Sequence, residues 1–281
     1  MTIAVPTTST EPTPEDLDGY RRAQRFAYQC AEAVAATLKP GVTERQAARS
    51  MRAWVNDHGV DTWFHLPFAW FGDRTALRGV GLPYKFFPSN RALAEGMPFI
   101  LDCAPVTDGY TADIGFTGCL GENLVLARLQ DDLAQHRALI LERVNAGATQ
   151  GQVYRAVDDL AAEQGYENRH QAYPFGVIAH QVGHAEPRAH NATAFGFGIG
   201  TTATLLRSAV VAAPARRSPL WNRGRFSGQP PVPGLWAVEP HLGHLGVGAK
   251  FEELLVITGD GAYWLDEDLP HVRRWRERGV A

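Results

Sequence analysis

"GVTERQAARSMRAWVNDHG", Gly41 to Gly59, is echoed by "GATQGQVYRAVDDLAAEQG", Gly147 to Gly165, with the same 18-residue separation between the bounding glycines. Each copy opens Gly-x-Thr and carries glutamine three residues after the threonine, giving the pairs Thr43/Gln46 and Thr149/Gln152. That spacing is a capping box, in which the two side chains satisfy backbone amides at the start of a helix. An amphipathic helix then runs to a closing glycine, the residue that best takes the left-handed turn past a helix end. A further helix precedes each copy, over residues 14–38 and roughly 124–145, and a short apolar stretch able to begin strands follows each. Either two ordinary capped helices look alike by chance, or the echo marks an α+β fold built from a duplicated half-domain, with any site at the pseudo-twofold interface.

The rest of the chain sets the limits. With 281 residues, 45% hydrophobic and 20% charged, it suits one large globular domain or two small ones. A net charge of −3 gives no basic surface for nucleic acid, and no cluster of Lys or Arg suggests a membrane surface. Lysine occurs only at Lys39, Lys85 and Lys250, which reads as compositional bias toward arginine. Cys30, Cys103 and Cys119 are an odd number without metal-type spacing, so neither a disulfide framework nor a cysteine zinc site is expected. There is no signal-peptide pattern and no apolar run near the ~20 residues of a membrane span, so a cytoplasmic protein is expected. Residues 1–12 read as a disordered tail, and residues 13–281 as one catalytic domain entered through the N-cap Thr13, Pro14 and the acids Glu15 and Asp16. Within it, residues 192–236 read as a long irregular insertion rich in Gly, Pro and Arg.

"FILDCAPVTDGYTADIGFT", Phe99 to Thr117, places two strand-like runs around the turn signal Thr107-Asp108-Gly109. Asp102 and Asp113 lie nearly symmetrically about it. In an antiparallel hairpin with an even-length loop, residues whose numbers sum to an odd value share a face, so these carboxylates are near neighbours. Like charges so close require a proton or a cation between them. Asp108 reads as a surface turn acid. Glu239 ends the apolar run in "GLWAVEPHLG", and Glu252 and Glu253 open "KFEELLVIT", although glutamate is depleted in strands. "AHQVGHAEPRAHN", Ala179 to Asn191, adds His180, His184 and His190. Four or five carboxylates with one or more imidazoles suit a dinuclear Mn, Co, Fe or Zn centre better than a structural zinc.

This set resembles the pita-bread-fold metallohydrolases: methionine aminopeptidases, Xaa-Pro peptidases (prolidases) and creatinase. "LDCAPVTDGYTAD" looks like the family's aspartate hairpin, with Ala104 at the usual glycine. "AVEP" resembles its T-x-E-P strand, and "KFEELLVIT" its E-D-x-x-L-V-T strand, whose count selects Glu252 over Glu253. "LKPGVTERQAA" matches the helical lead-in. Roughly residues 18–270 are covered. The resemblance implies two pseudo-symmetric α/β halves around a curved, mainly antiparallel sheet. It implies a ligand set of Asp102, Asp113, His180, Glu239 and Glu252 for two divalent metal ions, with Asp113 and Glu252 bridging. The ions would lower the pKa of a shared water and polarise a scissile carbonyl, and Glu239 would accept the water's proton. His180 is selected by the H-x-x-G that it opens, His184 is held in reserve as a substrate-facing group, and His190 reads as a rim residue.

Three departures bear on substrate. The window that holds a substrate-contacting histidine in the family reads "GLPYKFFPS" here, so Tyr84 or Lys85 stands in its place, while His65 in "WFHLPFAWFG" could reach the site from its own strand. Pro187 stands where a second histidine is usual. The interval from the histidines to Glu239 is long, which sets the 192–236 insertion beside the site. The leading expectation is a dinuclear metal-dependent hydrolase of the Xaa-Pro peptidase type, cleaving an amide of a short peptide or small amide, with Glu239, His184, His65 and Tyr84 as its catalytic residues. The alternatives are a creatinase-like metalloenzyme for a specialised small molecule and a metal-free binding module. A homodimer is expected by family analogy, with no nucleic-acid or membrane partner.

Overall fold

Both Gly-x-Thr motifs start helices. The computed structural model describes residues 11–78, 86–184, 193–194, 197–198 and 218–280. In Glu44–Asp57 (α2) and Gln150–Glu163 (α4), the capping boxes of Thr43/Gln46 and Thr149/Gln152 are both closed. All four glycines of the echo have positive φ, between 73° and 91°, and an added Cβ would meet nothing at any of them. Backbone conformation, not space, requires glycine there.

Each motif helix is preceded by a longer one, Pro14–Ala35 (α1) and Leu124–Asn145 (α3). Thr13 caps α1 as expected, in a reciprocal pair with Asp16. The helix ends at Ala35 rather than continuing to residue 38. Pro40 disfavours helical backbone at Lys39, and the Thr37 hydroxyl donates to the Val34 carbonyl 2.8 Å away, closing the last turn. Tyr20, Ala23, Ala27, Cys30 and Val34 all face inward, so the helical spacing read from the sequence is the buried stripe of α1.

The strands form three sheets. Trp63–Phe71 (β1), Pro98–Thr107 (β2), Tyr110–Thr111 (β3), Ile114–Cys119 (β4), Thr193–Ala194 (β7) and Phe197–Gly198 (β8) make the first, ordered β3-β2-β1-β8-β7 with β4 also on β2. Ala179–Val182 (β6), Leu220–Trp221 (β9), Gly234–Val238 (β10), Glu253–Ile257 (β13) and Ala262–Trp264 (β14) make the second, ordered β14-β13-β10-β6-β9. Glu167–Asn168 (β5), His241–His244 (β11) and Val247–Lys250 (β12) complete a small third. Every pairing among the described strands is antiparallel. The helices bury most of their apolar faces in a core shared with residues of all three sheets, including Phe71, Leu101, Trp236, Leu242 and Ala249, while Tyr20 and Ala23 of α1 join a second cluster with Ala237 and Leu254. The last helix, Pro270–Arg278 (α5), adds Trp275 to the shared core. No helix among the described residues is long and apolar enough to cross a membrane.

One expectation is corrected. Parts of the 192–236 stretch are not irregular: β7, β8, β9 and most of β10 lie inside it, and Phe197 pairs with His65 of β1. These strands are short and interrupted by glycine, so they carry no usable alternation. The remainder of that stretch up to residue 217, and residues 1–10 of the expected tail, lie outside the described residues.

Candidate metal centre

The hairpin brings the two aspartates together. Asp108 and Gly109 both have positive φ (51° and 83°) between the closing pair Thr107 and Tyr110, the arrangement of a two-residue turn that matches strand twist. Asp102 pairs with Gly115, and the same register sets Asp113 opposite Ala104, one step along the same face. The ladder lapses at Ala112–Asp113, where Pro105 has no amide hydrogen to donate. On the other side of β2, His65 pairs with Ala104. Its Nε2 lies 2.8 Å from Asp113 Oδ1 and 3.3 Å from Asp102 Oδ1, while Nδ1 lies 2.9 Å from the Leu66 carbonyl. A carbonyl can only accept, so Nδ1 carries the hydrogen of that bond.

The second sheet supplies the other side. His180 sits on β6 opposite Ala237, Glu239 follows β10 directly with its amide donating to Ile178, and Glu252 directly precedes β13. His180 Nε2 lies 3.4 Å from Asp113 Oδ2 and 3.9 Å from Glu252 Oε1, and Phe64 stacks on the imidazole at 5.4 Å. Helix α1 fixes the strand that carries Glu252. Tyr28 donates to the Glu252 carbonyl at 2.8 Å, and Gln24 accepts from the Leu254 amide at 2.7 Å. Asp102, Asp113, His180, Glu239 and Glu252 are only 4, 5, 7, 7 and 1% exposed.

Lys250 stands among them. Its Nζ donates to Asp102 Oδ2 at 2.7 Å and to Glu239 Oε2 and Glu252 Oε2 at 2.8 Å each. Three charge-assisted bonds use all three ammonium hydrogens. The lysine read from composition as mere bias is therefore the central cation of the cluster. A signal for it was present: in "KFE", strand alternation puts Lys250 and Glu252 on one face.

Burial dominates the electrostatics. It pushes Asp102 and Glu239 above the usual carboxylate range, and Glu252 well above it, each against the pull of Lys250. Burial would raise Asp113 too, but the imidazoles of His65 and His180 outweigh it and hold that carboxyl below its ordinary value. The same pairing works on His65, which burial would lower; Asp113 and then Asp102 carry it up to about 9.

The donor set fits a divalent ion in one place in particular. One nitrogen or oxygen each of Asp113, His180 and Glu252 lie within 4.8 Å of one another. Bonds of about 2.0–2.2 Å in a tetrahedral site need donors roughly 3.3–3.6 Å apart. The observed 3.4 and 3.9 Å are close to that. Glu252 Oε1 is moreover buried without a hydrogen-bond partner, as is His180 Nδ1. A second group of candidate donors joins His65, Asp102 and Asp113.

Other expected residues fall elsewhere. His184 is in neither group; it is exposed, its ring edge-on to Tyr110 at 4.8 Å. Tyr84, Lys85 and His190 lie outside the described residues. Asp108 is the exposed turn acid it was read to be. Cys30, Cys103 and Cys119 are free thiols.

Comparison with known proteins agrees with this architecture. Residues 18–259 match the model of metallopeptidase family M24. No curated protein matches the chain significantly. Among solved structures, the chain is similar to an X-Pro aminopeptidase from Thermotoga maritima (TM-score 0.67, 16% identity, covering 93% of this chain and 63% of that one). It is similar also to a prolidase from Pyrococcus furiosus (0.65, 17%, 91% and 64%) and a dipeptidase from Mycobacterium ulcerans (0.61, 22%, 94% and 60%). The chain thus spans about three fifths of their length, and at these identities the likeness is one of fold. The fold is the pita-bread fold, and the chain belongs to metallopeptidase family M24.

Proposed function

We propose that the chain is a divalent-metal-dependent hydrolase of the Xaa-Pro peptidase type, cleaving an amide bond of a short peptide or small amide. The observation that carries this reading is the convergence of Asp113, His180 and the unpartnered Glu252 Oε1 in a buried site, in a member of this family. A bound divalent ion such as Mn, Co, Fe or Zn supplies Lewis-acid polarisation of a carbonyl and acidifies water. The chain's own groups do the rest. Asp102, Asp113, Glu239 and Glu252 present carboxyl oxygens where a cation is needed. Glu239, raised by burial, is the acceptor for the proton of the attacking water. His65 orients Asp113 and Asp102 from its own strand. His184 and Tyr84 are assigned to substrate handling by their sequence positions. Family analogy further supports a homodimer.

A creatinase-like reaction on a specialised small molecule is the second reading, and one observation favours it: Lys250 occupies the middle of the carboxylates. A panel of Xaa-Pro dipeptides assayed with the metal-free protein and with added Mn²⁺, Co²⁺ or Zn²⁺ separates the two. Metal-dependent turnover on at least one member is expected. No turnover on any member contradicts the peptidase reading.

A further inference from the structure

We infer that Lys250 fills one of the two cation positions of this centre, leaving a seat for a single divalent ion on Asp113, His180 and Glu252. The inference rests on the metal-dependent reading above and departs from the two ions that the family resemblance implies.

Three carboxylates from three different segments meet at Lys250 Nζ at 2.7–2.8 Å, and that coordination-like cage is complete. An ion bonded to the same oxygens at about 2.0–2.2 Å would lie almost on the ammonium, two positive charges in a buried site. Binding there therefore requires the lysine to leave, and the protein holds it in place. The lysine side chain is 1% exposed. Its stem crosses Gly115, where a Cβ would come within 2.2 Å of Lys250 Cε, so the absence of a side chain on β4 is what lets the lysine through. Its Nζ sits 5.0 Å from the centre of the Tyr173 ring, a further stabilising contact for a cation. Tyr173 is itself fixed through its hydroxyl, 2.8 Å from His241 Nδ1.

The carboxylates divide their oxygens accordingly. Glu252 gives Oε2 to the ammonium and keeps Oε1 unpartnered on the side of His180. Asp102 gives Oδ2 to Lys250, and its Oδ1 lies by His65. Asp113 gives Oδ1 to His65 and turns Oδ2 toward His180. Two side chains, Lys250 and His65, thus hold one flank of the cluster. The donors left facing each other are Asp113 Oδ2, His180 Nε2 and Glu252 Oε1.

The test is a metal count on the whole chain. Metal-free wild type, Lys250→Met and Lys250→Arg are dialysed to equilibrium against saturating Mn²⁺, and bound manganese per chain is measured by mass spectrometry. One ion is expected in wild type and in Lys250→Arg, rising twofold in Lys250→Met. Two ions in the wild type, or no rise in Lys250→Met, overturn the inference. Electron paramagnetic resonance of the loaded wild type gives an independent answer should Lys250→Met fail to fold. An isolated six-line Mn²⁺ signal is expected, and an exchange-coupled pair overturns the inference. Wild type that binds no ion at all is a different failure: it overturns the metal-dependent reading itself, and this inference with it.

Discussion

Glu252 gives one oxygen to Lys250 and leaves the other without a hydrogen bond, whereas Glu253, next along the chain, has both oxygens bound by Arg137 and a further contact from His271. Both are fully buried glutamates at the start of one strand. Alternation sends them to opposite sides, one into the candidate centre and one under α3 and α5. Their protonation follows: burial pushes Glu252 well above the carboxylate range, while His271 and Arg137 outweigh burial and hold Glu253 below it. Saturated pairing marks a carboxylate that holds the fold together. Crowding with like charge and an oxygen left over is what the proposed metal seat requires of Glu252.

The sharpest way to break the comparison is to remove the acid between the two imidazoles. Asp113→Ala is expected to abolish Mn²⁺ binding by calorimetry, and Asp108→Ala, on the exposed turn, to leave it near wild type. Equal effects would contradict the hairpin assignment. Exchanging the adjacent glutamates comes next. Glu252→Gln should weaken Mn²⁺ binding by at least about 100-fold. It should leave the metal-free protein's stability within about 1 kcal/mol, because the amide still accepts from Lys250 and a like charge is gone. Glu253→Gln should do the opposite, with Mn²⁺ affinity retained and a loss on the order of 3 kcal/mol in urea unfolding as Arg137 loses its buried partner.

Acid separates the fold-holding groups by pH. His136 and His170 are buried and held down to about 4 by desolvation, against 6.5 when exposed. As pH falls below 6.5 the unfolded chain takes up protons that the native chain refuses. Their contribution is therefore complete above 6.5 and is lost on the way down to about 4, on the order of 3 kcal/mol each. Glu253, lowered from 4.5, contributes above that value and loses its contribution only as pH falls further. Urea melts from pH 7 to 4 should show this loss in both wild type and Glu253→Gln; a flat profile contradicts the neutral buried imidazoles. The smallest effect expected is that of Gly115→Ala. A methyl group against the Lys250 stem should cost about 1–3 kcal/mol. In the double variant with Lys250→Ala that cost should disappear.

Much of this was legible in the residues, and the exceptions have a common cause. The echo, its caps and the Asp108-Gly109 turn depend on local backbone conformation, which sequence encodes directly. The pairing of Asp102 with Asp113 across one face follows from hairpin parity, and alternation separates Glu252 from Glu253. Lys250 was not legible in the same way. Alternation gives its face, but its meeting with Asp102 depends on β12 lying against β2 and β4, contacts between residues far apart in sequence. The reach of His65 likewise follows from its register with Ala104, after an irregularity in β1 that no local pattern announces. The short strands β7 and β8 escaped notice because two residues carry no periodicity.

The most direct test is a crystal of the metal-free protein soaked in Mn²⁺ and measured for anomalous scattering. A single peak bounded by Asp113, His180 and Glu252, with Lys250 still on Asp102 and Glu239, is the predicted result. No peak in the cluster, or a peak on Asp102 and Glu239 with Lys250 displaced, would contradict the account.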